Sequence, residues 1–264
     1  MALRIVLPLV FAALALSACA THPAPGASSD VAASPSPQAD ADVRGSALAA
    51  RFQRVVVAPL NVAVRAPAEL EGKGEPIWQE LLRYFQERDR NLAVLGGISA
   101  ERLWLQATAD LDLSDRKAAL RSGYSRFAQE LAQHRDYDLL VVPSLVLRPG
   151  YLSGWHASWD GVQREVPNAA ALVTTDLSDV GTPGTFRTRG LRGKVAAVSL
   201  HVSLLRPDGT ELYQGLGGID VLQEAHRDAG WESELRFVAR AQPFSDAEAV
   251  REGVERAFDG PSRA

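Results

Sequence analysis

The chain has 264 residues, a formal net charge of −4 and a single cysteine, Cys19. This length and apolar content supply one good core or two small ones. The charge balance offers no basic field to draw a nucleic acid, and one cysteine excludes a disulfide framework or a thiolate zinc site. The five histidines, His22, His134, His156, His201 and His226, are not paired at metal-ligand spacing, so neither a metal nor a cofactor is expected.

At the amino terminus Arg4 gives a short positive segment, and Ile5 to Leu16 is apolar apart from Pro8. That run is too short for a bilayer span of about 20 residues but suits an export signal over 1–18. The small residues Ser17 and Ala18 then precede Cys19. This pattern resembles the lipobox of bacterial lipoproteins. The resemblance implies cleavage before Cys19, acylation of its thiol and new amino group, and a membrane partnership made through lipid; two or more chains hold far better than one. Ala20 stands where an aspartate favours inner-membrane retention in enterobacterial lipoproteins, so the expected location is the outer membrane, with the domain facing the periplasm. Residues 19–46, counted from the lipidated cysteine, contain no aromatic residue and are dominated by Pro, Ala, Ser and Asp. They read as a disordered tether with a reach of roughly 30 Å.

A single globular domain is expected over 47–258, followed by a short tail at 259–264. Arg54 to Leu60 is a β-branched run ended by Pro59 and reads as a buried strand. Pro76 opens a helix whose apolar face is Ile77, Trp78, Leu81, Leu82 and Phe85. Leu92 to Leu95 is a second strand, and Ser99 is placed as the cap of a short helix containing Trp104. Asp110, Asp112 and Asp115 lack the glycine and closing glutamate of a calcium loop, so they read as a solvated helix start. A helix follows over about 116–134, with Leu120, Tyr124, Phe127 and Leu131 as its buried stripe. Asp138 to Leu147 reads as a central strand in which Pro143 demands a bulge or a locally unpaired edge.

From Pro149 the composition changes. Tyr151, Trp155 and Trp159 sit among Gly150, Gly154 and Gly161, and Trp155, Ala157 and Trp159 alternate as a strand would. Trp155, His156 and Trp159 form a candidate partner-binding surface; against it stands the reading that the indoles merely cover the sheet. Residues 167–193 read as a long polar loop, locally basic through Arg187, Arg189 and Arg192 with Lys194 just beyond, and suited to an acidic partner. From Lys194 to Leu205 the alternation predicts a half-exposed strand with His201 on its wet side. Arg206 to Thr210 is a hairpin turn, and the return strand, with Gly215, Gly217 and Gly218, implies a bulge. A closing helix begins at a capping box formed by Ser245 and Glu248.

The fold class predicted is α/β (α+β), a mixed β-sheet flanked by helices with a carboxy-terminal hairpin and closing helix. Three segments, VVVAPLN at 55–61, DYDLLVVPSL at 136–145 and VSLHVSLLRPDGTELYQG at 198–215, carry a resemblance to one α/β domain. It is shared by the amino-terminal domain of TolB, the curli-secretion lipoprotein CsgG and the LpoB-type activators of penicillin-binding proteins. The resemblance implies a non-catalytic envelope component that binds, assembles or activates another envelope protein. A subunit of a secretion or transport machine is the alternative, although 149–193 holds no pair of apolar-alternating strands of about 10 residues fit to enter a membrane. An enzyme is the third reading. Gly150 to Gly154 is not a G-x-S-x-G elbow, and no nucleophile and base are suggestively spaced.

Overall fold

Three consecutive valines, Val55, Val56 and Val57, are all buried in strand β1 (Arg54–Val57), so both faces of the sheet are covered there. The structure, a computed structural model, describes residues 44–88, 90–112, 114–175, 192–227 and 235–260. All of these belong to one compact unit, Gln38–Ala264.

The fold is a mixed parallel and antiparallel α/β arrangement, as the sequence predicts. β1 pairs in parallel with β2 (Asn91–Val94) on one side and with β3 (Leu139–Ser153) on the other. Helix α2 (Glu75–Gln86) connects β1 to β2. It buries Ile77, Leu81, Tyr84 and Phe85 on the face that carries Val55 and Val57. Helices α3 (Gly97–Thr108) and α4 (Arg116–His134) connect β2 to β3 and cover the face that carries Val56, Leu140 and Val142. β3 then runs antiparallel to β6 (Arg192–Leu205) along its whole length, and β6 pairs with β7 (Glu211–Val221). The closing helix α6 (Ala247–Asp259) lies on β7, where Phe258 stacks on Tyr84 of α2 at 4.5 Å.

Glycine makes that last contact possible. Gly215 and Gly217 face α6, and a Cβ on either would overlap the carbonyl of Ala257 or Gly253. The expected bulge is present: Val198 faces Asp220 while Ser199 faces Gly218, which leaves Ile219 as the extra residue. Pro143 takes the edge form of its expectation, with no ladder partner on the β1 side beyond the Asn61 amide that reaches its carbonyl. Its register with β6 is unbroken, and it lies just past the Val57–Val141 pair where β1 ends.

Several boundaries differ from expectation. A short helix α1 (Gly45–Ala49) begins inside the segment read as tether, and buries Leu48 and Ala49 beside Tyr213. Helix α3 starts at Gly97, ahead of Ser99, with no side-chain cap. The cap of α6 is Asp246, not Ser245; its carboxylate accepts from the Glu248 and Ala249 amides at 3.0 and 3.1 Å. Asp115 caps α4 in the same way through the Lys117 and Ala118 amides. Within 167–193, residues Ala169–Thr175 form helix α5 and Arg192 opens β6. The polar connection before α6 contains a two-stranded ribbon, β8 (Gln223–Arg227) with β9 (Leu235–Ala239).

Candidate functional site

Beyond the point where β1 ends, the free edge of β3 is taken by a second pair of strands. β4 (His156–Trp159) pairs with the end of β3, and β5 (Val162–Glu165) pairs with β4. Gly154 and Trp155 make the first turn, with Gly154 at φ 65°. Asp160 and Gly161 make the second, with both φ values positive, as a type I′ hairpin requires.

The register sets two rows of side chains across four strands. The first is Arg192, Ser153, His156 and Glu165; the second is Lys194, Tyr151, Ser158 and Gln163. With strands about 4.8 Å apart, each row spans roughly 14 Å. All eight side chains are exposed except His156, which is half-buried. Tyr151 is 58% exposed and Trp155, at the turn, is 39% exposed. The Lys194 ammonium lies 5.6 Å from the centre of the Tyr151 ring, and the Trp155 and His156 rings are 5.5 Å apart. The result is an open platform with two aromatic side chains and two unburied cations.

The inner face of the same strands holds the platform in place. Leu152, Ala157, Val162, Val195 and Ala197 form a separate core with Val166, Ala169, Val221 and Ala225. Trp159 belongs to this core. It is 6% exposed, and its indole N–H donates to the Val198 carbonyl at 3.2 Å. Trp159 is therefore removed from the candidate surface, because the two-residue turn at 154–155 places Trp155 outside the alternation that buries Ala157 and Trp159. The hairpin also folds over onto β7, since a Cβ on Gly218 would collide with Val162 and Trp159.

Two ionic contacts fix the hairpin further. The Asp160 carboxylate, 3% exposed, accepts from Arg148 Nε at 2.9 Å and from the Ser199 hydroxyl at 2.7 Å. Arg164 reaches across to α6, where it bonds Glu252 at 2.5 Å and the Ala249 carbonyl at 3.2 Å. The Arg164 hydrogen bond, with Arg256 in support, holds the Glu252 carboxyl below its ordinary range.

Other sequence candidates fall elsewhere. Cys19, Arg187 and Arg189 lie outside the described residues. His201 is not on a wet face. Ser199 and Ser203 beside it on β6 are fully buried, and burial pushes the His201 imidazole below its ordinary pKa. Opposite Ser203, burial pushes the Tyr124 phenol up to about 12, against a smaller lowering by the hydroxyls of Ser144 and Ser203. Ser199, His201 and Ser203 thus share one face of β6, packed under α4 and the Asp160 turn, while Val198, Leu200, Val202 and Leu204 on the other face belong to the core with α2 and α6. Of the acidic residues before α4, Asp110 pairs with Arg126 and Asp112 with Ser114, apart from the cap at Asp115. Among the described residues, no group of three or more His, Cys, Asp or Glu side chains converges as metal ligands would.

Tyr151 and Lys194 complete the platform; the sequence reading names Tyr151 among the aromatics after Pro149 and Lys194 with the basic stretch, but joins neither to Trp155 and His156. The signal for them was the Asp160-Gly161 dipeptide, a strong hairpin marker. Once that turn is placed, strand parity puts Tyr151, Ser153, His156 and Ser158 on one face. The chain matches no protein-family model, no curated protein and no solved structure.

Proposed function

We propose that the protein is an outer-membrane lipoprotein anchored through Cys19. Its domain is a non-catalytic binding module that docks an acidic segment of another envelope protein on the Tyr151–Trp155–Lys194 platform. The observation that carries this reading is the pair of exposed rows across β6, β3, β4 and β5. They put Tyr151, Arg192 and Lys194 on one open surface, with Trp155 at the turn against His156, stiffened from below by Trp159 and Asp160. Aromatic and arginine side chains are the residue types that anchor protein interfaces. An open surface of this kind suits a macromolecular partner better than a small substrate, which needs a concavity. The proposed kinship with the TolB, CsgG and LpoB-type domain agrees with this reading and rests on segments 55–61, 136–145 and 198–215.

Two measurements test the proposal. The Cys19→Ser chain is expected to lose incorporated acyl label and to leave the membrane fraction; retention of both overturns the anchor. Tyr151→Ala with Lys194→Glu is expected to abolish stoichiometric co-isolation of an envelope protein from detergent extracts, with the melting temperature unchanged. Undiminished co-isolation overturns the platform as the docking face.

A further inference from the structure

A cleft of about 460 Å³ opens on the opposite side of the sheet from α2 and α6, between the loop after β1 and the α3–α4 pair. Its wall is apolar: Ala63 and Val64 on the loop side, Leu111 and Leu120 on the helical side, and Trp104 between them. Trp104 is held rigidly, because α4 carries Gly123 beneath it and a Cβ there would press into the indole at 2.8 Å. Thr108, also in the wall, spends its hydroxyl on the Trp104 carbonyl at 2.8 Å, so it offers the cleft no free polar group.

The polar lining consists of two cations. Arg65 and Arg116 both border the cleft, both are exposed, and neither guanidinium has a hydrogen-bond or ion-pair partner among the described residues. The carboxylates nearby in sequence are committed elsewhere: Asp110 to Arg126, Asp112 to Ser114, and Asp115 to the amides that open α4. Arg116 is moreover the first residue of α4, where the helix dipole disfavours a cation and favours an anion. An apolar slot with two uncommitted guanidinium groups complements one chemistry, an apolar body ending in a carboxylate, which arginine binds in a bidentate manner. The volume is at the lower end of that found for small-molecule sites.

We propose that this cleft binds a single-chain aliphatic carboxylic acid, with its chain against Trp104, Leu111 and Leu120 and its carboxylate between Arg65 and Arg116. The site is independent of the platform, which lies on the other strands and other residues.

The test uses the full chain carrying Cys19→Ser, so that no acyl group of its own competes. Dodecanoate below its micelle-forming concentration is titrated by calorimetry and by tryptophan emission, with Trp104→Phe identifying the responding indole. The expected result is saturable one-to-one binding that dodecanol matches only at about tenfold or more weaker affinity. Arg65→Ala and Arg116→Ala should each weaken dodecanoate about tenfold, a change of about 1.4 kcal/mol, with unchanged melting because both side chains are exposed and unpaired. Val64→Trp, a loop substitution that fills the slot, should abolish binding. The proposal is overturned by an absence of saturable binding, by equal affinity for dodecanol, by indifference to both arginine variants, or by full binding in Val64→Trp.

Discussion

Asn61 holds Leu145 as a neighbouring strand would: the Leu145 amide donates to the Asn61 side-chain Oδ1 at 2.7 Å. The Asn61 amide in turn donates to the Pro143 carbonyl at 3.0 Å. One residue just past the end of β1 thus extends the pairing of β3 past the proline, and it does so at φ 65°, a conformation that asparagine tolerates better than most residues. Asn61→Ala should cost about 2–4 kcal/mol, combining an unpaired buried amide with a left-handed alanine. Asn61→Asp keeps the acceptor and should cost less than half as much. Urea unfolding with an unchanged slope checks both; equal losses in the two variants would contradict the side-chain role.

Gly217 and Gly253 set the distance between β7 and α6. Alanine at either position places a methyl group against backbone, Gly253 carbonyl in one case and Gly218 carbonyl in the other. Each should destabilise by about 3 kcal/mol or more, since backbone on backbone cannot give way. Gly97→Ala meets open space in the first turn of α3 and should be neutral or stabilising by up to about 1 kcal/mol. Thermal melts of the three variants distinguish close approach from mere glycine content.

Trp155 and Trp159 should separate in stability although they are four residues apart. Trp159→Phe removes the indole bond to Val198 inside a packed core and should cost about 1–3 kcal/mol. Trp155→Ala, at an exposed turn, should stay within about 0.5 kcal/mol of wild type.

His201 gives the domain a pH dependence of defined sign. Burial lowers its pKa in the folded state, while the unfolded chain keeps a value near about 6.5. The unfolded state therefore binds more protons below that pH. Stability is complete above about 6.5 and declines as the pH falls toward and through the folded value. His201→Gln should lose less of its urea midpoint between pH 7.5 and pH 5.5 than wild type does. An identical loss would assign the effect to other groups.

Much of this architecture was legible because periodicity and burial coincide. α2 and α4 lie over the predicted residues, since Pro76, Asp115 and the spacing of Ile77, Leu81, Tyr124, Phe127 and Leu131 all point the same way. The β6–β7 hairpin followed from Asp208-Gly209 between alternating strands. What failed were inferences from polarity to exposure. Ser199, His201 and Ser203 alternate with aliphatics as a wet face would, yet small hydroxyls pack under Tyr124 and Asp160 as readily as methyl groups do. α1 was hidden because nothing local marks it: Gly45 is needed only where the Tyr213 ring and the Phe258 carbonyl close on it. The platform was half visible. Trp155, His156 and Arg192 stood out by type, whereas joining them to Tyr151 and Lys194 required the strand register.

The platform as the docking face is tested most directly by site-specific photo-crosslinking in intact cells. A photoreactive residue at Ser158, in the middle of the exposed rows, should give one discrete adduct with an envelope protein. Arg192→Glu with Lys194→Glu should abolish that adduct while the protein level is unchanged. The same probe at Glu101, exposed on α3 on the other side of the sheet from α2 and α6, should give none. An equal adduct from Glu101, or a Ser158 adduct that survives both charge reversals, would contradict the account.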